Sequence, residues 1–189
     1  MEPVSWFGPD SSTRTRVLTA TVAVIGRRGR SRLNLSDVAA EAGISRPTLY
    51  RLFASKGELL DALGQHEMAA VHAAVSAALQ GLSGPARLDA LLQFIVEFQQ
   101  SYPLRHLIEI EPTHELRELK RVLPIARSWV REEIHEAEDA DLLAGAIVRI
   151  ALSHFLVPDN DRADFLAQLR RAAGIPTGTA GDDTEARML

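Results

Sequence analysis

Apolar residues recur every three or four positions along most of the chain, which is the spacing of an amphipathic helix. Three segments show the pattern clearly: Leu18, Val22 and Ile25; Leu59, Leu63, Ala70, Val71 and Ala74; Leu88, Leu91, Leu92, Ile95 and Phe98. No run alternates β-branched and polar residues as a half-buried strand would, and no internal repeat is present. The pattern therefore predicts an all-α protein.

Glycine, proline and capping residues divide this pattern into about nine helices. The predicted helices cover roughly 12–28, 36–43, 46–52, 56–79, 85–100, a short segment between Tyr102-Pro103 and Glu111-Pro112, 114–137, 141–156 and 161–173. Ser36 and Ser45 are the expected caps of the second and third helices. Ser55 and Glu58 form a predicted capping box, in which the Glu58 carboxylate returns to Ser55. Pro124 lies inside the seventh helix, where a kink would open space.

Composition narrows the class of protein. The chain has 189 residues, of which 46% are apolar and 24% charged, and it has no cysteine, which excludes disulfides and thiolate metal sites. The N-terminus lacks the pattern of a secretory signal. The longest apolar segment, 142–157, is shorter than the roughly 20 residues that span a bilayer and contains Arg149. We expect a soluble, cytoplasmic protein that does not enter a membrane.

Charge is distributed unevenly along the chain. Residues 1–60 carry nine Lys or Arg and five Asp or Glu, a formal charge of +4. The remaining twelve basic and twenty acidic residues give −8, so the whole chain has a charge of −4. A basic N-terminal region on an acidic body is typical of a protein that meets a polyanion. The alternative is an ordinary solvated surface.

The segment 36–53 is a helix-turn-helix candidate, with two short helices joined through Ala42-Gly43-Ile44-Ser45. Its predicted core consists of Val38, Ala39, Ala42, Ile44, Leu49 and Phe53. That core leaves five residues facing outward: Arg46, Pro47, Thr48, Tyr50 and Arg51. Arginine, hydroxyl and phenol groups of this kind contact phosphates and base edges. Lys56, at the start of the fourth helix, can add a phosphate contact.

The run LSDVAAEAGISRPTLYRLFASKGELLDAL closely resembles the DNA-binding signature of the tetracycline-repressor (TetR) family. The matching positions are Ala42-Gly43, Thr48-Leu49-Tyr50, Phe53, Lys56 and Leu59-Leu60. The resemblance in sequence covers about 12–65; beyond that it covers only the number, order and length of the helices. It implies a three-helix DNA-binding head at 1–55, a ligand-binding and dimerisation body at 56–175, and a mobile tail at 176–189.

The resemblance also implies DNA contacts at particular residues. The implied DNA-binding residues are Ser36, Ser45, Arg46, Pro47, Thr48, Tyr50, Arg51 and Lys56. Among them, Ser36, Tyr50 and Lys56 match phosphate-contacting positions. Arg46, Pro47 and Thr48 match base-reading positions, whereas Arg51 suits either guanine or phosphate. The arginine-rich linker Arg27–Arg32 is either a solvated loop or a source of nonspecific, salt-sensitive affinity.

For the body, the resemblance implies a homodimer through the last two helices and a ligand cavity among helices five to seven. The implied interface residues are Leu143, Ile147, Ile150, His154, Phe165, Leu166 and Leu169. The alternative is that these residues close the core of one chain. The implied cavity residues are Leu91, Phe94, Ile95, Phe98, Tyr102, His106 and Trp129, with ordinary core packing as the alternative. Such an apolar lining favours a greasy or aromatic effector.

Enzyme and metal motifs give little support to a catalytic function. The chain has no nucleophile elbow, P-loop, dinucleotide glycine pattern or His-Glu-x-x-His. Two Glu-x-x-His pairs occur, Glu111/His114 and Glu132/His135, but Pro112 breaks the first and surface charge surrounds the second. We expect no cofactor, no metal and no enzymatic activity. The leading hypothesis is a dimeric, effector-responsive TetR-like repressor that binds a double-stranded DNA operator. The alternatives are a helical interaction module that no longer reads DNA and a helical metalloenzyme.

Overall fold

The structure, a computed structural model, describes residues 12–134, 138–158 and 161–176. Within these ranges it is all-α, with the helices α1 (Thr13–Arg28), α2 (Leu35–Glu41), α3 (Arg46–Leu52), α4 (Lys56–Leu79), α5 (Gly84–Ser101), α6 (Leu107–Ile110), α7 (Pro112–Glu133), α8 (Ala140–Leu156) and α9 (Arg162–Ala172). The all-α prediction is confirmed, and helix α4 has the predicted bounds. The predicted end of the seventh helix at 137 and nearly all of the predicted mobile tail lie outside the described residues.

Helices α1, α2 and α3 and the first turns of α4 enclose an aliphatic core, which we call the head core. Leu49 and Phe53 are completely buried in it, and the α1 residues Val17 and Ile25 are buried with them. The turn between α2 and α3 requires Gly43, whose φ of +64° lies in the left-handed region that glycine favours. The helix-turn-helix predicted from the sequence is therefore folded around the residues that the pattern indicated.

The capping residues differ in detail from the prediction. The cap of α2 is Asn34, whose side chain accepts the Asp37 N–H over 2.8 Å, so Ser36 lies inside the helix and does not cap it. Asparagine and serine are similarly good caps, and the sequence alone does not choose between neighbouring candidates. Ser45 and Ser55 cap α3 and α4 as predicted.

The capping box of α4 is displaced by one residue from its predicted form. Ser55 Oγ accepts the Glu58 N–H over 3.1 Å as expected, but the Glu58 carboxylate accepts the N–H of Ala54 over 2.8 Å instead of returning to Ser55. The carboxylate still binds a free N–H at the helix N-terminus, so the start of α4 remains well satisfied.

The body packs α5 against α4 and α9, and α8 against α7 and α9. A second core, the body core, lies among these helices and contains Leu92, Val96, Ala144, Ile147 and Leu169. The short α6 and the turn before it belong to the head instead. Their residues Leu104 and Leu107 are almost fully buried in the head core, so that core is completed by a segment some fifty residues further along the chain.

The structure buries part of the surface on α8 and α9 that the resemblance implied for dimerisation. Of the seven predicted interface residues, Ile147, Phe165 and Leu169 are buried inside this chain. The others, Leu143, Ile150, His154 and Leu166, are half-buried. Because α8 is apolar nearly all round, helical periodicity cannot tell its inner face from its outer one. The structure leaves Leu142 and Val157 strongly exposed, with 72% and 75% of their surface accessible.

Candidate DNA-binding surface and ligand cavity

The outward face of α3 is polar and accessible. Arg46, Pro47, Tyr50 and Arg51 are exposed, while Leu49 on the opposite side of the helix is completely buried. Burial of Leu49 fixes the rotation of α3, because only one face of a helix can contact the core. The structure thus brings together the arginines, the hydroxyl-bearing residues and the phenol that the sequence predicted for DNA contact.

Two of the predicted DNA-contacting hydroxyls are already engaged with each other. Ser45 Oγ lies 2.9 Å from Thr48 Oγ1 and accepts the Thr48 N–H over 3.3 Å. Both bonds hold the first turn of α3 in shape. A rigid first turn is what a base-reading helix needs, since its N-terminal residues enter the major groove. Ser36, in the first turn of α2, is half-buried.

Lys56 lies beside the linker between α1 and α2. Its Nζ donates to the Ser31 carbonyl over 2.9 Å and its side chain is half-buried, so the ammonium is positioned and not freely mobile. The three N–H donors of an ammonium leave capacity for a phosphate after this bond. Lys56 therefore joins the start of α4 to the linker at the edge of the α3 surface.

The basic linker Arg27–Arg32 does not form one uniformly solvated loop. Arg27 pairs with Glu41 over 2.5 Å, and Arg28 pairs with Asp37, both at the exposed surface beside α2. Arg30 turns the other way and is almost buried, with its Nε donating to Glu115 of α7 over 3.2 Å. The linker is thus split between the head surface and the interior of the body, which reduces the charge that it can offer to DNA.

Glu111, between α6 and α7, holds the same linker by its backbone. Its carboxylate accepts the Arg30 N–H over 2.6 Å, the Ser31 N–H over 3.1 Å and the Ser31 hydroxyl. Gly29 allows this approach: its φ is +82°, and a Cβ there would lie 2.6 Å from the Glu111 carboxylate. Burial opposes ionisation of Glu111, but these bonds outweigh it and lower the pKa of the carboxyl. We call this set of contacts the Glu111 clasp.

The body contains a cavity of about 250 Å³ among α4, α5, α7 and α8. Six of the seven predicted ligand-binding residues line it: Leu91, Phe94, Ile95, Phe98, Tyr102 and Trp129. Three of them form a ladder of rings, with Phe94 and Phe98 stacked at a centroid distance of 6.0 Å and Phe98 and Tyr102 at 5.8 Å. Phe155 of α8 extends the ladder, its ring 6.2 Å from Tyr102. These apolar walls agree with the lining expected from the sequence.

The seventh predicted cavity residue, His106, is placed elsewhere. Its Nε2 lies 2.9 Å from the Gly26 carbonyl at the end of α1, and the residue is exposed. His106 precedes α6, which packs on the head, so its ring faces α1 and not the cavity.

One part of the cavity wall is charged, and the sequence pattern did not indicate it. The charged lining residues are Arg30, Glu67, Glu115, Glu118 and Arg121. Arg30 and Glu115 are the buried pair described above, and Arg121 Nη2 donates to Glu118 over 2.8 Å. The side-chain carboxylate of Glu67, on α4, receives no hydrogen bond from any residue that the structure describes. Burial raises the pKa of its carboxyl, an effect that Arg30 opposes.

The charged set was missed because its members come from the linker, α4 and α7, which are far apart in sequence. A local signal exists only for Glu67, a carboxylate one helical turn from the apolar Val71 on α4. Neither Glu-x-x-His pair forms a metal site within the described ranges, where no group of three or more His, Asp or Glu could hold an ion. Glu111 instead binds the linker, and His135 lies outside those ranges. No described helix is both long and apolar enough to cross a membrane.

Comparison with known proteins identifies two families whose members match this chain. The family described as "Bacterial regulatory proteins, tetR family" matches residues 17–63. The family "Bacterial Tetracyclin repressor, C-terminal domain" matches residues 69–174, which is more than half of the chain. The two matches fall on the helix-turn-helix with the start of α4, and on the helices that enclose the cavity.

Individual relatives agree with the family matches. The chain is 29% identical over 92 residues to the nucleoid occlusion factor SlmA of Haemophilus influenzae, and 33% identical over 107 residues to the transcriptional repressor LfrR of Mycolicibacterium smegmatis. It spans about half the length of these relatives, 42% and 54% respectively, and 48% and 56% of this chain is matched. The transcriptional regulator AlkX of Mycobacterium tuberculosis is 29% identical over 175 residues, which cover 84% of this chain and 82% of AlkX.

The fold is shared with solved structures. SCO4454, a TetR-family transcriptional regulator from Streptomyces coelicolor, superposes with a TM-score of 0.66 at 19% identity, over 89% of this chain and 97% of that one. The two family matches together cover the head and the body of this chain, and the structural neighbour shares its fold. The chain belongs to the TetR family of bacterial regulatory proteins.

Proposed function

We propose that this TetR-family transcriptional regulator is a homodimeric repressor that binds a palindromic operator through α3 and releases it when a small effector occupies the cavity. The head would comprise 1–55, the body 56–175 and the tail 176–189. The observation that carries the proposal is the polar face of α3 held over a closed core, linked through Arg30 to a cavity in the body. Relatives named as a transcriptional repressor and a transcriptional regulator support the same conclusion.

The DNA contacts follow from the exposed face of α3. Arg46 and Thr48 would reach base edges in the major groove, and Tyr50, with 52% of its surface exposed, would contact phosphate. Arg51 would bind either guanine or phosphate. Lys56 and the N-terminal N–H groups of α4 would bind a further phosphate, because the helix dipole favours an anion there.

Ser36, Ser45 and Pro47 complete the proposed DNA-binding residues. Ser36 would contact phosphate from the first turn of α2. Ser45 would act mainly by keeping the first turn of α3 in shape, since its hydroxyl is bonded to Thr48. Pro47 is exposed in that turn and offers an apolar surface to a thymine methyl group.

A dimer is proposed for a geometric and a chemical reason. Two half-sites one DNA turn apart, roughly 34–36 Å, require two copies of α3 related by a two-fold axis. The outer face of α8 and α9 offers the surface, since Leu142, Ile150, Val157 and Leu166 form an exposed or half-buried apolar strip. Ala146 and Ser153 between them are small enough for a second helix to approach closely. Ile147, Phe165 and Leu169 would support this strip from below.

The route from cavity to DNA is proposed to run through Arg30, the Glu111 clasp and α6. Arg30 lines the cavity and its N–H is held by Glu111, while Leu104 and Leu107 beside the clasp are buried in the head core. A ligand that moves α7 would therefore move Glu111, the linker and the head together. Such coupling is limited by the difference in the ligand's affinity for the two arrangements.

The first experiment is sequencing of source-genome fragments enriched on the purified, ligand-free protein at near-physiological salt. We expect a palindrome to be recovered, and light scattering should give twice the 20.7 kDa mass of the chain. Lys56→Ala should weaken binding similarly for all sequences and lower the slope of log affinity against log salt by about one. Lys120→Ala removes an equal charge from the exposed side of α7 and should change neither quantity.

The outcome also separates a second candidate. SlmA is a nucleoid occlusion factor and not a named transcriptional regulator, so a chain with this head could serve an architectural or interaction function. Enrichment of sites outside promoters would favour that function. No enrichment from a folded dimer would contradict the proposed ligand-free repressor.

A further inference from the structure

One buried hydrogen-bond acceptor beside the cavity has no donor. Gln99 of α5 is buried, with 7% of its surface exposed, and its amide N–H donates to the Ala151 carbonyl over 2.8 Å. Its Oε1 is also buried and accepts no hydrogen bond within the described part of the chain. An unpaired buried acceptor is unfavourable, because it has lost its hydrogen bonds to water without gaining a donor in the protein.

The charges around the cavity are unbalanced in the same direction. Arg30 is paired with Glu115, and Arg121 with Glu118, which leaves the carboxylate of Glu67 unmatched. Its neighbours Glu115 and Glu118 add to the effect of burial in raising its pKa. The charged part of the cavity wall therefore carries one surplus negative charge, which we assign to Glu67. Gln99 Oε1 is an unpaired acceptor that lies beneath the lining and has almost no accessible surface.

The aromatic ladder favours the same kind of ligand. The rings of Phe94, Phe98, Tyr102 and Phe155 give the apolar body of such a ligand a surface to pack against. Tyr102 itself stays a neutral phenol, because burial and Glu67 raise its pKa above the usual range. A carboxylate or phosphate ligand would have to displace Glu115 from Arg30 and would meet Glu67 unpaired, which is unfavourable.

We infer that the effector is a protonated organic amine with a small aromatic or aliphatic body, whose ammonium group donates to Glu67. This inference rests on the proposed function and specifies the ligand of the same cavity. The volume of about 250 Å³ lies just below the roughly 300–1,000 Å³ of pockets for drug-sized ligands, so the body of the amine is small. The ammonium supplies the positive charge that Glu67 lacks.

The test compares three probes of one shape: 4-phenylbutylamine, 4-phenylbutanol and 4-phenylbutanoate. Isothermal titration of the full-length protein at pH 7.5 should rank the amine about tenfold or more above the alcohol, with the carboxylate weakest, because a hydrogen bond to a charged group is worth about 1.5–3 kcal/mol. Equal affinity for amine and alcohol, tighter binding of the carboxylate, or no binding of any probe would overturn the inference.

Two variants assign the effect to one carboxylate. Glu67→Gln should weaken amine binding about tenfold or more and leave alcohol binding nearly unchanged. Glu109→Gln removes an exposed carboxylate that does not line the cavity, and should alter amine binding by less than about threefold. Similar losses in both variants would contradict selection by Glu67.

Operator binding by the ligand-free protein keeps the two proposals distinguishable. If Glu67→Gln binds the operator like the unmodified chain but has lost its preference for the amine, both proposals stand. Operator binding without any amine preference would overturn the ligand class alone. Amine binding without operator binding would instead contradict the proposed repressor while supporting the ligand class.

Discussion

The head core and the body core differ in the polar groups that they contain. The head core consists of aliphatic side chains and Phe53, and its buried Thr21 donates its hydroxyl to the Val17 carbonyl within α1 over 2.7 Å. The body core surrounds a cavity whose wall includes Glu67, an unpaired Gln99 oxygen and a buried ion pair. A rigid head positions α3, whereas the body retains unsatisfied groups that a ligand can satisfy. The difference illustrates that binding sites are placed where the fold gives up some stability.

The two regions are nevertheless joined at α6. Leu104 and Leu107 come from the body half of the chain, yet they complete the head core. The Glu111 clasp lies immediately after them and holds the linker from the opposite side. A boundary drawn in sequence at 55/56 therefore crosses a shared core, and any movement of α6 is transmitted to the head by packing.

The largest expected change in stability follows from truncating a side chain of this shared core. Leu107→Ala should destabilise the protein by about 2–5 kcal/mol, because it removes a completely buried side chain and leaves a cavity. Denaturant unfolding measures the change. Leu116→Ala, on α7 and 43% exposed, is the matched control and should change stability by no more than about 0.5 kcal/mol. Equal, small effects in both variants would show that α6 does not support the head.

A smaller effect is expected from loosening the clasp. Glu111→Gln should lower the unfolding free energy by about 1–3 kcal/mol near neutral pH, since an amide oxygen replaces a carboxylate that accepts three hydrogen bonds. Because the folded pKa of Glu111 is lowered, its contribution is present above the unfolded pKa and is lost as pH falls through the folded pKa.

The acid limb of the stability profile checks this assignment. The difference between Glu111→Gln and the unmodified chain should shrink as pH falls through that range. Operator binding by the variant should also respond less to any effector, because the clasp is the proposed connection between cavity and head. A difference in unfolding free energy that does not change with pH, together with an unchanged effector response, would contradict both roles: stabilisation by the Glu111 carboxylate and coupling of the cavity to the head.

The smallest expected effect has the opposite sign and lies in the body. Glu67→Gln should stabilise the ligand-free protein by about 1 kcal/mol at neutral pH, by removing a charge that burial disfavours. The folded pKa of Glu67 is raised, so its stabilising contribution is present below the unfolded pKa and is lost as pH rises through the folded pKa. The gain should therefore vanish in acid, as thermal unfolding across that pH range would show. A destabilised variant would mean that Glu67 has a partner in solution.

Local chemistry accounts for what could be predicted. The bounds of α4 followed from Ser55 and the break after Leu79, and the outward face of α3 followed from the burial of Leu49 and Phe53. Six of the seven residues that the resemblance implied for the cavity line it, and helical spacing places four of them, Leu91, Phe94, Ile95 and Phe98, on one side of α5. Errors of one or two residues, such as Asn34 for Ser36, arose where two neighbouring residues can make the same cap.

The sequence by itself therefore determined the all-α class, the helix-turn-helix and the face that it presents, since each depends on residues within one or two helical turns. The tertiary structure alone decided which side of the apolar α8 faces inward, that His106 faces α1, and that Arg30 leaves a basic linker to pair with Glu115. It also placed Glu67 in the cavity with Gln99. The His106–Gly26 and Arg30–Glu115 contacts join residues 80 and 85 positions apart, and no local periodicity records which distant helices pack together.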